Sequence, residues 1–203
     1  MLWLKKAIKL FASDFLVWSN FYKCPINLND SLFYLCEMKI RLAVEADIPK
    51  IMQLVKKVVP LMQAAGNFQW GNDYPNPGVF AEDIEIGQLW VAEINGDVAG
   101  VSAITKDQDP EYADAGWEIN DEAIVTHRLA VDPDCRGMGI ARALMEQAEI
   151  VAKNKGIKIL RVDTNSENLA TRALFPKLGY EFSGEIGLAK RPGLRFYCYE
   201  KLL

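Results

Sequence analysis

From Met38 onward the apolar positions fall into two regular periods. Over Glu45–Val59, Ile48, Ile51, Met52, Val55 and Val59 recur every three or four residues, which predicts an amphipathic helix. Pro49 falls in its first turn, where a missing N–H is tolerated, and Pro60 is expected to end it, with a short second helix reaching Ala65. Gly137–Lys155 predicts a long helix with Ile140, Leu144, Ala148 and Val151 on its apolar face; Val79–Ile86 and Leu169–Leu178 predict shorter ones. Strands are predicted over Lys39–Ala43, Leu89–Ile94, Val98–Thr105, Ala123–Val131, Ile157–Val162, Gly179–Ile186 and Leu194–Tyr199. Asn95-Gly96-Asp97 is a strong hairpin signal, and Lys190-Arg191-Pro192-Gly193 marks a turn. Gly66–Gly78 and Lys106–Asn120 read as loops. Strands first meander and then alternate with helices, so the expected class is α/β, with one mixed, mostly antiparallel central sheet flanked by helices.

Residues 1–37 break this pattern. Residues 1–22 are rich in aromatics, with Lys5, Lys6, Lys9 and Asp14 interrupting every apolar run, which makes a poor signal peptide. An amphipathic helix on a membrane or partner is one reading; a helix packed on the domain, or an appendage, is the favoured one. Cys24–Glu37 reads as an irregular linker. The expected organisation is an N-terminal appendage, 1–37, and one domain, 38–203. Met38 itself can serve as an initiator. A chain beginning there is expected to fold.

Composition narrows the classes. The chain has 203 residues, 50% apolar and 25% charged, enough for a self-sufficient core. A net charge of −4 argues against a dedicated nucleic-acid binder. No apolar run approaches the roughly 18 residues that suggest a membrane span. His127 is the one histidine, and the four cysteines form no C-x-x-C pair, so no metal site is expected. Cysteine usage fits a reducing, cytoplasmic setting.

The chemically telling stretch is Val131-Asp-Pro-Asp-Cys-Arg136-Gly137-Met138-Gly139-Ile140-Ala141. A strand runs into a glycine turn that opens a long helix. Unpaired N–H groups and the positive helix end then converge on one point, a ready site for a pyrophosphate. Gly137 and Gly139 let a ligand reach the main chain, and Arg136 adds a cation that forks onto phosphate oxygens. A phosphate loop of the G-x-x-x-x-G-K-[ST] type is absent. A dinucleotide fingerprint would need a third glycine where Arg142 stands, although Asp163 could imitate its ribose-binding acid; an oxidoreductase is a distant alternative.

Arg136-Gly-Met-Gly139-Ile-Ala141 resembles the R-x-x-G-x-[GA] pyrophosphate motif of the GNAT superfamily of N-acetyltransferases. His127-Arg-Leu-Ala-Val131-Asp-Pro133 resembles the family's fourth strand. Asn168-Leu-Ala-Thr-Arg-Ala-Leu174-Phe175-Pro-Lys177-Leu178-Gly179-Tyr180 resembles its later N-x-x-x-x-x-L-[YF]-x-K-L-G-[FY] segment. The resemblance covers about residues 38–203.

It implies an acetyl-CoA-dependent N-acyltransferase. Acetyl-CoA would be the co-substrate, in an opening between the fourth and fifth strands. Leu129, Ala130 and Val131 would pair with the pantetheine arm and hold the thioester oxygen. Arg136, Gly137, Met138, Gly139, Ile140 and Ala141 would take the pyrophosphate, and Asn168 the pantetheine. The acceptor would be a primary amine of a small molecule or protein, attacking the thioester directly. A homodimer stays open. An alkylammonium with a pKa of about 10.4 must lose a proton first. His127 is the candidate base, and alternation puts it on the face of Leu129 and Val131. Glu118 and Glu122 are runners-up. Trp70 and Tyr74 are candidates for an aromatic wall beside the amine, with Glu118 next to Trp117 as a second pair. Many family members place an acidic tyrosine where this chain has Phe175. A catalytically weak acyl-CoA-binding or regulatory module is therefore the alternative function.

Overall fold

The computed structural model describes residues 38–203. The helix and linker expected over residues 1–37 lie outside the described residues. Seven strands form one sheet: β1 (Met38–Leu42), β2 (Leu89–Ile94), β3 (Asp97–Thr105), β4 (Ala123–Val131), β5 (Ile159–Asn165), β6 (Glu181–Leu188) and β7 (Arg191–Leu202). Their order is β1-β2-β3-β4-β5-β7-β6. Every neighbouring pair is antiparallel except β4 and β5, which run parallel. The mixed, mostly antiparallel sheet expected from the sequence is the one observed. Asn95 (φ 52°) and Gly96 (φ 88°) make the tight turn between β2 and β3 with the positive φ pair that such hairpins need.

Four helices cover the sheet. α1 (Ile48–Ala64) and α2 (Pro77–Glu85) lie on one face, α3 (Ile140–Lys155) and α4 (Leu169–Leu174) on the other. α1 buries Ile51, Leu54, Val55 and Val58 against Val91, Val101 and Ala103 of the sheet. Each such side chain contributes about 1.5–3 kcal/mol relative to exposure. α1 does not stop at Pro60, as the sequence led one to expect. Pro60 sits on the exposed side, while Val58 and Met62 on either side of it pack inward. That packing carries the helix past one missing donor. α3 packs Ile140, Ala143 and Leu144 over β3, where a Cβ on Gly100 would lie 2.5 Å from Ile140. Only glycine lets helix and strand approach this closely.

Boundaries moved elsewhere. Helix α3 starts at Ile140, leaving Gly137–Gly139 as its entry turn. Helix α4 ends at Leu174 and continues as a single 3-10 turn, Pro176–Leu178. The loop after β3 holds a 3-10 segment, Pro110–Ala115, which packs Tyr112 and Ala115 on the same side of the sheet as Val125, Ile186 and Phe196. Strand β7 begins at Arg191, inside the expected turn. Among the described residues no helix is long and apolar enough to cross a membrane.

Candidate active site

The sheet is unzipped at its parallel seam. β4 and β5 pair only from Ala123 with Ile159 to Thr126 with Val162. Beyond that β4 runs on along β3, while Asp163, Thr164 and Asn165 stay with β7. The strands part, and a cleft of about 510 Å³ opens between them. His127, Leu129, Ala130, Val131, Arg136, Gly137, Gly139, Ile140, Ala141, Asn168, Trp70 and Tyr74 all line it. Met138 does not; it packs toward Ile140 and Leu144. Glu118 does not either: it is exposed, and its carbonyl accepts a bond from Arg161 at 3.1 Å. Glu122 is paired with Lys106 on the surface at 2.7 Å.

A β-bulge shapes β4. Val101 opposes Ala130 and Ala103 opposes His127, so two β4 residues face one on β3. Arg128 sits in the bulge at φ +54°, a conformation uncommon for a residue with a side chain. The extra residue reverses the alternation. Leu129 and Val131 pack toward α3, whereas Ala130 joins the α1 core. His127 pairs with Ala103, also of the α1 core, so it lies on the opposite face from Leu129 and Val131. The shared face expected from simple alternation is therefore not what forms.

Arg128 is held there by a forked ion pair to Asp83 of α2, at 2.7 and 2.6 Å, and it donates to the Tyr74 hydroxyl at 3.3 Å. Asp83 is buried and also accepts from Gln88. Over the Tyr74 ring, at 4.2 Å from its centroid, lies the Arg191 guanidinium. Trp70 is a core residue of the α1 cluster that also borders the cleft.

His127 Nε2 lies 3.2 Å from the carbonyl oxygen of Asp107. A carbonyl only accepts, so Nε2 carries the hydrogen and Nδ1 keeps the basic lone pair. Burial pushes the imidazole below its ordinary pKa, and Arg128 and Lys190 push the same way, against Asp163 and the Asp107 carbonyl. The ring is thus neutral at neutral pH. Asp163, across the parting, accepts a 2.6 Å bond from Tyr112. Burial, then the adjoining Asp163 charge, raises the Tyr112 phenol well above its usual pKa, so it stays a donor.

At the other end of the cleft the turn into α3 is main chain. Gly137 and Gly139 both adopt φ +81°, and a Cβ at either would meet no atom within 4 Å. The first N–H groups of α3 have no partner within the helix. The space beside them is the cradle an anion would fill, and these residues fit a pyrophosphate. Lys57 of α1 bridges Asp132 and Asp134 at 2.8 Å each and fixes the approach to the turn. Asn168 caps α4, its side chain accepting from Thr171. Phe175 is buried and lines the cleft.

Asp163 was singled out in the sequence only as a stand-in ribose ligand, and Arg128, Tyr112, Asp83 and Lys190 carried no signal. The strand period marks Arg128 as an ordinary alternating position, and Asp83, Tyr112 and Lys190 find their partners only across the fold.

The sequence matches the Acetyltransferase (GNAT) family over residues 57–180, more than half of the chain. The chain belongs to that family. An uncharacterized N-acetyltransferase of Methanocaldococcus jannaschii is 33% identical over 96 residues, 46% of this chain and 38% of the relative; the chain thus spans well under half of that protein. A GNAT-family acetyltransferase structure from Streptococcus agalactiae superposes with a TM-score of 0.71 at 26% identity, over 82% of this chain and 96% of that one. A Salmonella typhimurium structure, solved with its cofactor acetyl-CoA, shares the fold with a TM-score of 0.59 at 20% identity, over 82% and 94%.

Proposed function

We propose that the chain transfers the acetyl group of acetyl-CoA to a primary amine of a small molecule or protein. One observation carries the reading: the parted β4–β5 seam holds an exposed main-chain turn at one end and the His127 imidazole, with Nε2 on the Asp107 carbonyl, at the other, in a single cleft.

On this reading, the N–H groups from Gly137 to Ala141 hold the pyrophosphate, with Arg136 as an added cation. The freed edge of β4 beyond Thr126 lies along the pantetheine arm, with Asn168 opposite. N–H groups there face the thioester oxygen, where negative charge develops. His127 takes a proton from the acceptor ammonium through Nδ1, directly or through one water. The Asp163 carboxylate stabilises the imidazolium that results. The amine nitrogen then attacks the carbonyl carbon. A C–N bond forms, the nitrogen gives up its second proton to solvent as the C–S bond breaks, and the thiolate takes a proton from solvent, since Phe175 offers none.

Phe175 also supports the second reading, a fold that binds acyl-CoA without efficient turnover. Incubation with acetyl-CoA and a mixed amine panel, followed by thiol release and product mass, separates the two. Amine-dependent release is expected. Tight CoA binding with no release from any amine would establish the binding module, and tighter binding of NAD than of CoA would overturn both.

A further inference from the structure

We propose that the acceptor is an amine that also carries an anionic group, a carboxylate or phosphate, and that Arg191 binds that anion. The inference rests on the transferase reading and names its substrate class.

Three cations border the cleft around His127, and they differ in one respect. Arg128 is neutralised by Asp83, and Lys190 by Asp109 at 2.6 Å. Arg191 also lines the cleft, but among the described residues no carboxylate lies within 4.0 Å of it. Among the described residues its guanidinium donates one hydrogen bond, from Nη1 to the carbonyl of Lys190, at 3.0 Å. Stacking on the Tyr74 ring fixes the plane of the guanidinium and leaves the remaining N–H edge to a ligand. A planar fork of this kind matches a carboxylate or a phosphate, which takes two parallel hydrogen bonds.

Its position is as informative as its charge. Arg191 stands on Tyr74, Tyr74 accepts from Arg128, and Arg128 adjoins His127. The guanidinium is thus one tyrosine ring away from the strand that bears the imidazole. Across the parting stands Asp163, a carboxylate with one oxygen engaged by Tyr112. The acceptor end therefore presents a negative group beside the imidazole and a positive group on the rim. A zwitterionic amine has the complementary order: ammonium toward Asp163 and His127, anion toward Arg191. The turn bearing Arg191 is itself anchored, since the Ala189 N–H donates to Glu111 and Lys190 binds Asp109. Binding the anion would not require ordering a loose hairpin. The Tyr74 face is occupied by Arg191, so it is not the open aromatic wall for an amine that the sequence suggested.

The test compares matched acceptors that differ in the anion alone: amino acids against their amides and decarboxylated amines, and phosphoethanolamine against ethanolamine. For wild type, kcat/KM should favour one anionic series over its neutral counterpart by roughly tenfold to a hundredfold, the range of a hydrogen bond to a charged group. Which series wins identifies carboxylate or phosphate. Arg191→Ala should bring that ratio close to one, Arg191→Lys should keep part of it, and Arg191→Glu should invert it toward diamines. Equal use of anionic and neutral acceptors by wild type overturns the inference and leaves the transferase reading standing. So does an Arg191→Ala variant that lowers both members of a pair alike. Absence of thiol release with every acceptor, anionic or neutral, overturns the transferase reading, and the inference falls with it.

Discussion

The two ends of the cleft are built in different ways. The end at the α3 entry is main chain: Gly137, Gly139 and the first N–H groups of one helix, contributed by one short continuous segment. The end at His127 is made of groups, nearly all of them side chains, from five separate segments, Asp107 alone contributing its main-chain carbonyl. Tyr74 and Asp83 come from the α1–α2 side, Asp107 and Asp109 from the loop after β3, His127 and Arg128 from β4, Asp163 from β5, and Arg191 from the β6–β7 turn. A main-chain site tolerates changes in side chain but not in backbone conformation. A side-chain network fails when any member loses its counter-charge. The first arrangement suits a ligand part that does not vary, the second one that does.

Cutting the network should give the largest effect. Asp83→Ala leaves the Arg128 guanidinium, 16% exposed, without its carboxylate. Removing one partner of such a pair costs about 3–5 kcal/mol. The low end is expected, because Tyr74 still accepts from Arg128. Urea denaturation measures it, and a loss below about 1 kcal/mol, the range of surface pairs, would mean that the pair does not anchor the bulge.

His127→Ala should lower turnover by roughly a hundredfold, the usual scale for a lost general base. The pH profile adds a sign. Because burial lowers the imidazole pKa, wild type should hold its full rate down to about pH 6.5, the unperturbed value, and lose it only at lower pH. The same shift destabilises the fold in that acid range, since the unfolded histidine binds its proton more readily. An acid limb centred above pH 6.5, or one that survives in the variant, would assign it to another group.

Smaller effects are expected at the main-chain end, and their order is informative. Gly139→Val forces a β-branched residue to φ +81°, which costs on the order of 1–3 kcal/mol, and sets its side chain in the cradle. The strain weakens the fold; CoA affinity by calorimetric titration should fall about tenfold or more because the side chain displaces the ligand from main-chain donors, the loss expected for a hydrogen bond to a charged group. Arg136→Ala removes an exposed cation and should cost about threefold, as exposed charge contacts do, and less at high salt. A larger loss from Arg136 than from Gly139 would contradict a main-chain site.

The same contrast explains what could be read from the sequence. The glycine turn, the Asn95-Gly96 hairpin and the α3 stripe are local features, written in neighbouring residues. The bulge is not. It is held by an ion pair between positions 83 and 128, and it reverses the face on which Leu129 and Val131 lie relative to His127. Arg161 is a similar case. A charged residue in a strand reads as solvent-facing, yet it is buried, paired with Glu200, and stacked on Trp117 at 5.0 Å, where it also holds the Glu118 carbonyl. Period-2 patterning sees the residue type; only the assembled sheet supplies the partner. Pro60 is the converse case: a local breaker is overruled by the packing of Val58 and Met62 on either side of it.

The seam between β4 and β5 has a consequence for amide hydrogen exchange. Up to Thr126 each strand shields the other, but from His127 onward the β5-facing edge of β4 has no neighbouring strand. In most sheets such an edge lies at the rim, where it invites pairing with another chain. Here it lies in the middle of the sheet, with α1 packed on one face and α3 on the other. Amides along this edge should exchange fast in the free protein and slow down when the seam is filled. Deuterium uptake over Leu129–Val131 therefore reports occupancy without any chemistry taking place.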